Sequence, residues 1–359
     1  MKIIVAIDSF KGCLTSVEAN QAAAMGILDC IPDAEVIQIP VSDGGEGWLE
    51  AFHNVLGGMI VEVSVYDPLM RPITSKYLVK DDMAVIEIAQ ASGLSLLLED
   101  ERNPLIATSF GTGQLVAAAV RRGCKHIIVG LGGSATSDCG TGMLKAIRDN
   151  LADGAPLEDI EALDHVCFTI ATDVTNPLCG ENGSAHVFAP QKGATPEMVI
   201  ELDKRAKRFA EESAKHFGFD CQSKPGAGVA GGLGYAFMQY LNAECCSGID
   251  LLLDSLDFDS LLTEASLVIT GEGSADRQTL MGKLPYGILQ RAKHYDVPVA
   301  LIAGKIADKD ALLNAGFSSV DCIHSPDISK DEAMKRETAM NNIRQTIAHY
   351  MSKYRKGSR

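Results

Sequence analysis

Four acidic residues, Asp8, Asp43, Asp173 and Glu272, each follow a short apolar run with strand character, directly or within three residues. In open parallel sheets, ligands bind outside the carboxyl ends of the strands. One acid in such a place ordinarily caps a turn, but four, each beside glycine, lysine or asparagine, point to one shared acidic cleft. The neighbouring loops supply cations: Lys11, Lys192, Arg277 and Lys283. Lys192 lies in FAPQKG, straight after the run AHVF, which reads as a strand, and Lys283 closes GEGSADRQTLMGK. A lone lysine is usually solvated surface. Acids to hold Mg²⁺, lysines to neutralise phosphate and glycine loops to present N–H groups are together what phosphoryl transfer requires, because that chemistry works by positioning and electrostatic stabilisation.

The chain contains 34 glycines, many of them in SDGGEG (42–47), FGTG (110–113), GLGGSATSDCGTG (130–142), PGAGVAGGLG (225–234) and GEGSADRQTLMGK (271–283). Glycine there lets the backbone approach a ligand closely. Several familiar signatures fail. GxxxxGK[ST] is absent, because Lys283 is followed by Leu284. Gly226 to Gly231 matches GxGxxG, but Ser223-Lys224-Pro225 stands where a strand should precede it, which argues against a dinucleotide fingerprint. The segment from Gly130 to Thr136 is similar to the phosphate loop of the galactokinase and homoserine-kinase group. There it follows a proline-led loop, whereas here it follows HIIV. The protein-kinase motifs are missing, and no histidine has a Ser-His-Asp context.

Composition narrows the partners. Lys plus Arg number 32 against 47 Asp plus Glu, a formal charge of −15, so no global field attracts nucleic acid or anionic lipid. The opening MKIIVAIDSF breaks at Asp8 without a cleavage site and reads as a first strand, not a signal peptide. No apolar run approaches the ~20 residues of a membrane span. Ten cysteines are scattered without a C-x-x-C pair, as expected for reduced thiols in a cytoplasmic protein.

The elements that position these loops follow from local signals. KIIVAI (2–7) reads as a buried strand, and Thr15 and Glu18 have capping-box spacing before a helix. EVIQIPV is a second strand, and Trp48 to Leu56 a helix stopped by Gly57-Gly58. From residue 61, VEVSVYDPLMRPITSKYLV and MAVIEIA alternate around Asp81-Asp82 as antiparallel strands do. A helix over about 112–122, the strand HIIVG and a helix from Thr195-Pro196 to Gly218 follow. SLVITG, a helix over 285–295, VPVALIAG and a helix over 331–353 restore the opening pattern. The expected fold class is α/β. A Rossmann- or flavodoxin-like doubly wound parallel sheet (1–60 plus 266–359) is interrupted by a mixed-sheet α/β domain (61–265).

Eight motifs in order carry a more specific resemblance, to the bacterial type I glycerate kinases: IDSFKG (7–12), SDGGEG (42–47), SFGTG (109–113), GLGGSATSD (130–138), ATDVTNPLCG (171–180), PQKGAT (190–195), PGAGVAGGLG (225–234) and TGEGSADRQTLMGK (270–283). The resemblance spans nearly the whole chain. It implies ATP- and Mg²⁺-dependent phosphorylation of D-glycerate at its 2-OH, by a monomer or homodimer with a cleft between two α/β domains. Within those motifs, Lys11 and Lys192 are candidates to hold the carboxylate or the transferring phosphoryl group. Asp43, Asp173 and Glu272 are candidates to orient the hydroxyl, with Asp173 and Glu272 also the expected metal ligands. The phosphates and substrate would be cradled by Asp8 and Ser9, Gly44 and Gly45, Gly111 and Gly113, and Gly132, Gly133, Ser134, Thr136 and Asp138. Asn176, the glycines Gly226, Gly228 and Gly231, and Gly271, Ser274, Asp276 and Lys283 complete the expected lining. Cys139 stands where the family usually has glycine; if that position needs a positive φ, the cysteine strains the loop. In a phosphate loop, its thiol is expected to have a lowered pKa. A kinase for another small hydroxy or sugar acid, one yielding the 3-phosphate, and a nucleotide-binding regulator on the same sheet stay open at this point.

Overall fold

The computed structural model describes residues 1–41, 47–152, 156–325 and 327–357. Its strands are β1 (Lys2–Ile7), β2 (Glu35–Gln38), β3 (Met59–Tyr66), β4 (Pro72–Lys80), β5 (Met83–Glu87), β6 (His126–Gly130), β7 (Cys167–Ala171), β8 (Glu244–Cys246), β9 (Leu267–Ala275), β10 (Val299–Ile306) and β11 (Ser319–Cys322). They form two sheets in two compact units, Met1–Asp43 with Ile249–Arg359, and Gly44–Gly248.

The discontinuous unit carries the order β11-β10-β9-β1-β2, every pair parallel. Counted within the unit, that order is 2-1-3-4-5, the flavodoxin-like doubly wound arrangement. β1 is buried from Ile3 to Ile7, as a strand covered on both faces must be. The helices Ser16–Cys30 and Arg336–Gly357 cover one face together; Ile343, Ile347 and Met351 pack with Ala19, Ala23 and Ile27 over Ile3 and Val5. Thr15 forms the expected capping box with Glu18.

The other unit has the order β3-β4-β5-β6-β7-β8. β3, β4 and β5 pair antiparallel, and β5 through β8 pair parallel, which gives the expected mixed sheet. Helices Phe110–Arg121, Thr141–Leu151 and Val229–Tyr240 pack on it around Leu115, Ile147 and Phe237. The capped helix Pro196–Phe217 ends at Gly218 in the left-handed region.

Unit boundaries at 43/44 and 248/249 differ from the expected 60/61 and 265/266. Helix Trp48–Leu56 joins the mixed-sheet unit, where the Leu49 N–H donates to Glu87 Oε2 at 3.0 Å. Helix Gly248–Ser255 joins the parallel-sheet unit through Arg291, whose guanidinium reaches Asp250 and Asp254 at 3.2 and 2.6 Å. AHVF is not a strand: Ser184–Phe188 is one short helix after Gly183. An apolar run of that length has too few residues for its period to show.

Candidate active site

β9 pairs with β1 only as far as Gly271 but follows β10 to Ala275. Glu272 therefore lies within a strand, not after one, beyond the point where β1 has ended and the chain has turned away through Asp8 and Ser9. The connections from β1 and β9 run in opposite directions, which makes this gap the topological switch point of the sheet. A cavity of about 460 Å³ opens there, lined by Asp8, Ser9, Lys11, Glu272, Ser274 and Lys283, and also by Lys305 and His324.

Local chemistry aims the Glu272 carboxylate. Thr279 Oγ1 donates to its Oε1 at 2.5 Å and Lys283 Nζ to its Oε2 at 3.1 Å. Burial raises its pKa above the usual carboxylate value, against the downward pull of Thr279 and Lys283. Asp276 is one step back. It caps the turn Arg277–Met281, accepting from the Gln278 N–H at 2.7 Å, while its own N–H donates to Thr279 Oγ1 at 3.0 Å. Gly271 is a packing residue of the sheet, and Arg277 turns to Asp308 at 3.6 Å. The Ser9 N–H donates to Asp8 Oδ1 at 2.6 Å.

In the mixed-sheet unit, the expected phosphate loop is held from within. Asp138 Oδ2 accepts from the Ser109 N–H and Oγ, both at 2.8 Å, and from the Gly142 N–H at 3.1 Å; Oδ1 accepts from the Gly140 N–H at 3.1 Å. Ser109 and Gly140 precede helices Phe110–Arg121 and Thr141–Leu151 without capping them through their own side chains. One carboxylate thus caps both helices, and N–H groups expected to cradle phosphate already have an anion. Lys192, 2% exposed, donates to Ser134 Oγ at 2.7 Å and to the Thr136 carbonyl at 2.6 Å. It braces the loop from behind; Thr136 is fully buried and Gly133 is the exposed part.

The glycines of this unit serve close approach. A Cβ on Gly113 would stand 2.3 Å from the Met143 carbonyl, and one on Gly231 would stand 1.9 Å from that of Thr136. Gly111, Gly226 and Gly228 are likewise pressed against Tyr66, Cys245 and Pro177. Cys139 does adopt φ +54°, and its N–H donates to the Gly231 carbonyl at 2.9 Å. Its thiol is the reverse of the expected one: burial, then the Asp138 charge, push its pKa far up. Asp173 follows β7 and accepts from the Gly248 N–H at 3.2 Å. Asn176 Nδ2 donates to the Asn182 carbonyl at 2.8 Å, and the Asn176 carbonyl accepts from the Gly228 N–H. Asp43, Gly44 and Gly45 lie outside the described residues.

The profile of the glycerate kinase family matches residues 3–355. The glycerate kinase of Bacillus subtilis (strain 168) is 42% identical over 341 residues, 89% of each chain. The chain belongs to the glycerate kinase family. The glycerate 2-kinase of Escherichia coli (strain K12) is 38% identical over 374 residues, 97% of this chain and 98% of that one. A crystal structure from Salmonella typhimurium LT2, provisionally assigned as glycerate kinase 2, superposes with a TM-score of 0.82 at 36% identity, covering 100% of this chain and 99% of that one. As a glycerate kinase, the chain is a phosphotransferase with an alcohol group as acceptor, which sets aside the regulator alternative.

Thr279, bonded to Glu272, and Lys305 and His324, which line the cavity, are not among the residues expected from the sequence. Gly304-Lys305 near the end of β10 repeats the strand-glycine-charge pattern of Gly271-Glu272 and was a usable signal. His324 follows the four-residue β11, too short to stand out.

The bracing lysine has a pH signature. Burial holds its pKa down to about 7, against the opposing attraction of Asp138, whereas an unfolded lysine titrates near about 10.4. Between those values the unfolded chain binds one more proton at this site, so its contribution to stability rises with pH across that window and is constant below it. Urea unfolding of wild type and Lys192→Met should show a stability gap that widens from about pH 7 to about pH 10. A gap independent of pH would mean that the lysine is charged in the folded protein.

Proposed function

We propose that the cavity at the ends of β1, β9, β10 and β11 is where this glycerate kinase transfers the γ-phosphoryl group of ATP to the 2-OH of D-glycerate, assisted by Mg²⁺. The observation that carries this reading is three lysines and two carboxylates, Lys11, Lys283, Lys305, Asp8 and Glu272, around one cavity at the switch point. A small carboxylic acid and a triphosphate are both anionic, and converging ammonium groups supply the charge they need. The volume lies within the range of small-molecule sites.

The donor set fits Mg²⁺. Mg²⁺ is a hard cation that usually takes one or two carboxylates and fills its remaining positions with water and substrate phosphate. Asp8 and Glu272 are hard oxygen donors of this cavity and would hold it. Among the described residues, no three His, Cys, Asp or Glu side chains cluster as metal ligands, so the phosphates would complete the shell. When bound, the ion would neutralise charge on the phosphates. Asp173, the other expected ligand, belongs to the mixed-sheet unit. Phosphoryl transfer through a loose transition state asks little of a base. In this reading Lys11 and Lys305 anchor the carboxylate, and Lys283 neutralises the transferring group. The anchored carboxylate then sets which hydroxyl meets the phosphoryl group. The 2-OH follows the resemblance to bacterial type I enzymes and the relative named glycerate 2-kinase.

The product assay is direct. With ATP, Mg²⁺ and D-glycerate, the product should be consumed at once by added enolase, which accepts the 2-phosphate. Product that enolase uses only after phosphoglycerate mutase is added would place the phosphate on the 3-OH. Turnover with another hydroxy acid but not with glycerate would overturn the substrate assignment. No helix among the described residues is long and apolar enough to cross a membrane, so the assay calls for no lipid.

A further inference from the structure

His324 lies two residues beyond β11 and lines the same cavity. Its ring is fixed by Asn342, on helix Arg336–Gly357, whose Nδ2 is 3.1 Å from His324 Nδ1. An amide NH₂ only donates, so Nδ1 is the acceptor and the neutral ring carries its proton on Nε2. That second nitrogen faces Gly304: a Cβ there would stand 3.7 Å from Nε2, and Gly304 also lines the cavity. Burial lowers the His324 pKa below its ordinary value. The cavity lysines, Lys11, Lys283 and Lys305, disfavour a further positive charge in the same space, whereas Asp8 and Glu272 favour one.

We infer that His324 is a substrate-binding residue whose Nε2–H donates a hydrogen bond to an anionic oxygen of the reactants, on the glycerate carboxylate or on the transferring phosphoryl group. The inference rests on the reading of this cavity as the active site. The lysines supply charge, but an ammonium on a four-carbon stem fixes no direction. An imidazole locked by Asn342 supplies direction without adding charge. With Nδ1 engaged and Nε2 already protonated, the ring is a donor and not a base.

Two measurements on the full chain test this. In protein with ¹⁵N-labelled histidine, the ring whose signals vanish in His324→Gln should show a protonated Nε2 and a bare Nδ1. Its Nε2 signal should shift on addition of D-glycerate alone or of inorganic phosphate alone, and the ligand that shifts it identifies the acceptor. In kinetics, His324→Asn, whose amide reaches only the Nδ1 position, should lose about tenfold or more in kcat/KM. His324→Gln, whose amide nitrogen falls near Nε2, should recover to within about threefold. A raised KM for glycerate indicates the carboxylate, and a lowered kcat the phosphoryl group. An Nδ1–H tautomer, no shift with either ligand, or equal activities of the Gln and Asn variants would overturn the inference. If His324→Asn does not fold, the wild-type tautomer and ligand shifts decide alone. Lys283→Met in the same assay separates the two levels: a defect there with none in His324→Asn removes only the histidine, and no defect in either removes the cavity.

Discussion

Lys283→Met is expected to lower kcat for glycerate phosphorylation by about 10²–10³-fold, a barrier increase of roughly 2.7–4 kcal/mol, with thermal unfolding little changed. Methionine keeps the length of the stem and removes only the charge. Stability should barely respond, because the Lys283 side chain is 39% exposed and such pairs contribute little. On the proposed reading of the cavity, catalysis should respond strongly, because charge developing on the transferring group would meet an ammonium that is already placed. Lys283 follows Gly282 at φ +99° and stands at the N-terminus of helix Leu284–Lys293, so backbone dipole and side chain act with the same sign. A second readout comes from Glu272. Burial raises its pKa while Thr279 and Lys283 pull it down; with Lys283 gone, the upward push is less opposed. A function that needs the carboxylate ionised fails as pH falls through that pKa, so the acid limb of the kcat/KM profile should move to higher pH in Lys283→Met. Thr279→Val should move it the same way. Normal kcat in a folded Lys283→Met would remove this cavity from the chemistry.

What the sequence disclosed and what it withheld divide along a physical line. Helix limits at Thr15–Glu18, Thr195-Pro196 and Gly218 were legible, because caps and stops depend on residues a few positions apart. The strand-end pattern groups Asp8, Asp43, Asp173 and Glu272 with Lys11, Lys192, Arg277 and Lys283. Asp8, Lys11, Glu272 and Lys283 do line one cavity, because parallel strands bring their carboxyl ends to one edge. Asp173 and Lys192, by contrast, belong to the other sheet's unit, and Arg277 turns to Asp308. The direction in which a charged side chain turns has no such local rule. Asp138 and Lys192 have the residue types of a phosphate site, yet both turn into the protein. Asp138 does so because the uncapped helix starts at Ser109 and Gly140 converge on it. Lys192 does so because Ser134 Oγ and the Thr136 carbonyl meet it behind the loop. Their partners lie up to 58 residues away in the chain. Spacing shows nothing of that convergence. Ser184–Phe188, β8 and β11 were lost for a simpler reason, since three to five residues hold too little pattern.

Asp138→Ala should destabilise the mixed-sheet unit by about 1–3 kcal/mol, the scale for leaving hydrogen-bond donors without their acceptor when a part-buried, multiply bonded carboxylate is removed. The Ser109, Gly140 and Gly142 N–H groups would lose their acceptor at once, and both helix N-termini would lose their counter-charge. Asp138→Asn should cost less. Its amide oxygen can take the position of Oδ2, which receives most of the donors, but its NH₂ then faces the Gly140 N–H, donor against donor. Urea unfolding of the two variants should rank Ala below Asn below wild type, while the KM for ATP of folded Asp138→Asn stays near the wild-type value. An unchanged unfolding midpoint with a large loss in kcat/KM would reverse the assignment and put Asp138 on the nucleotide. Ser109 supplies the sharper control, because its Oγ donates to Asp138 and accepts from the Met143 N–H at 3.0 Å, joining the carboxylate to the first turn of helix Thr141–Leu151. Ser109→Ala combined with Asp138→Asn should therefore cost less than the two single changes added together, with a coupling of about 0.5–3 kcal/mol. Strict additivity would mean that the two side chains do not act as one cap.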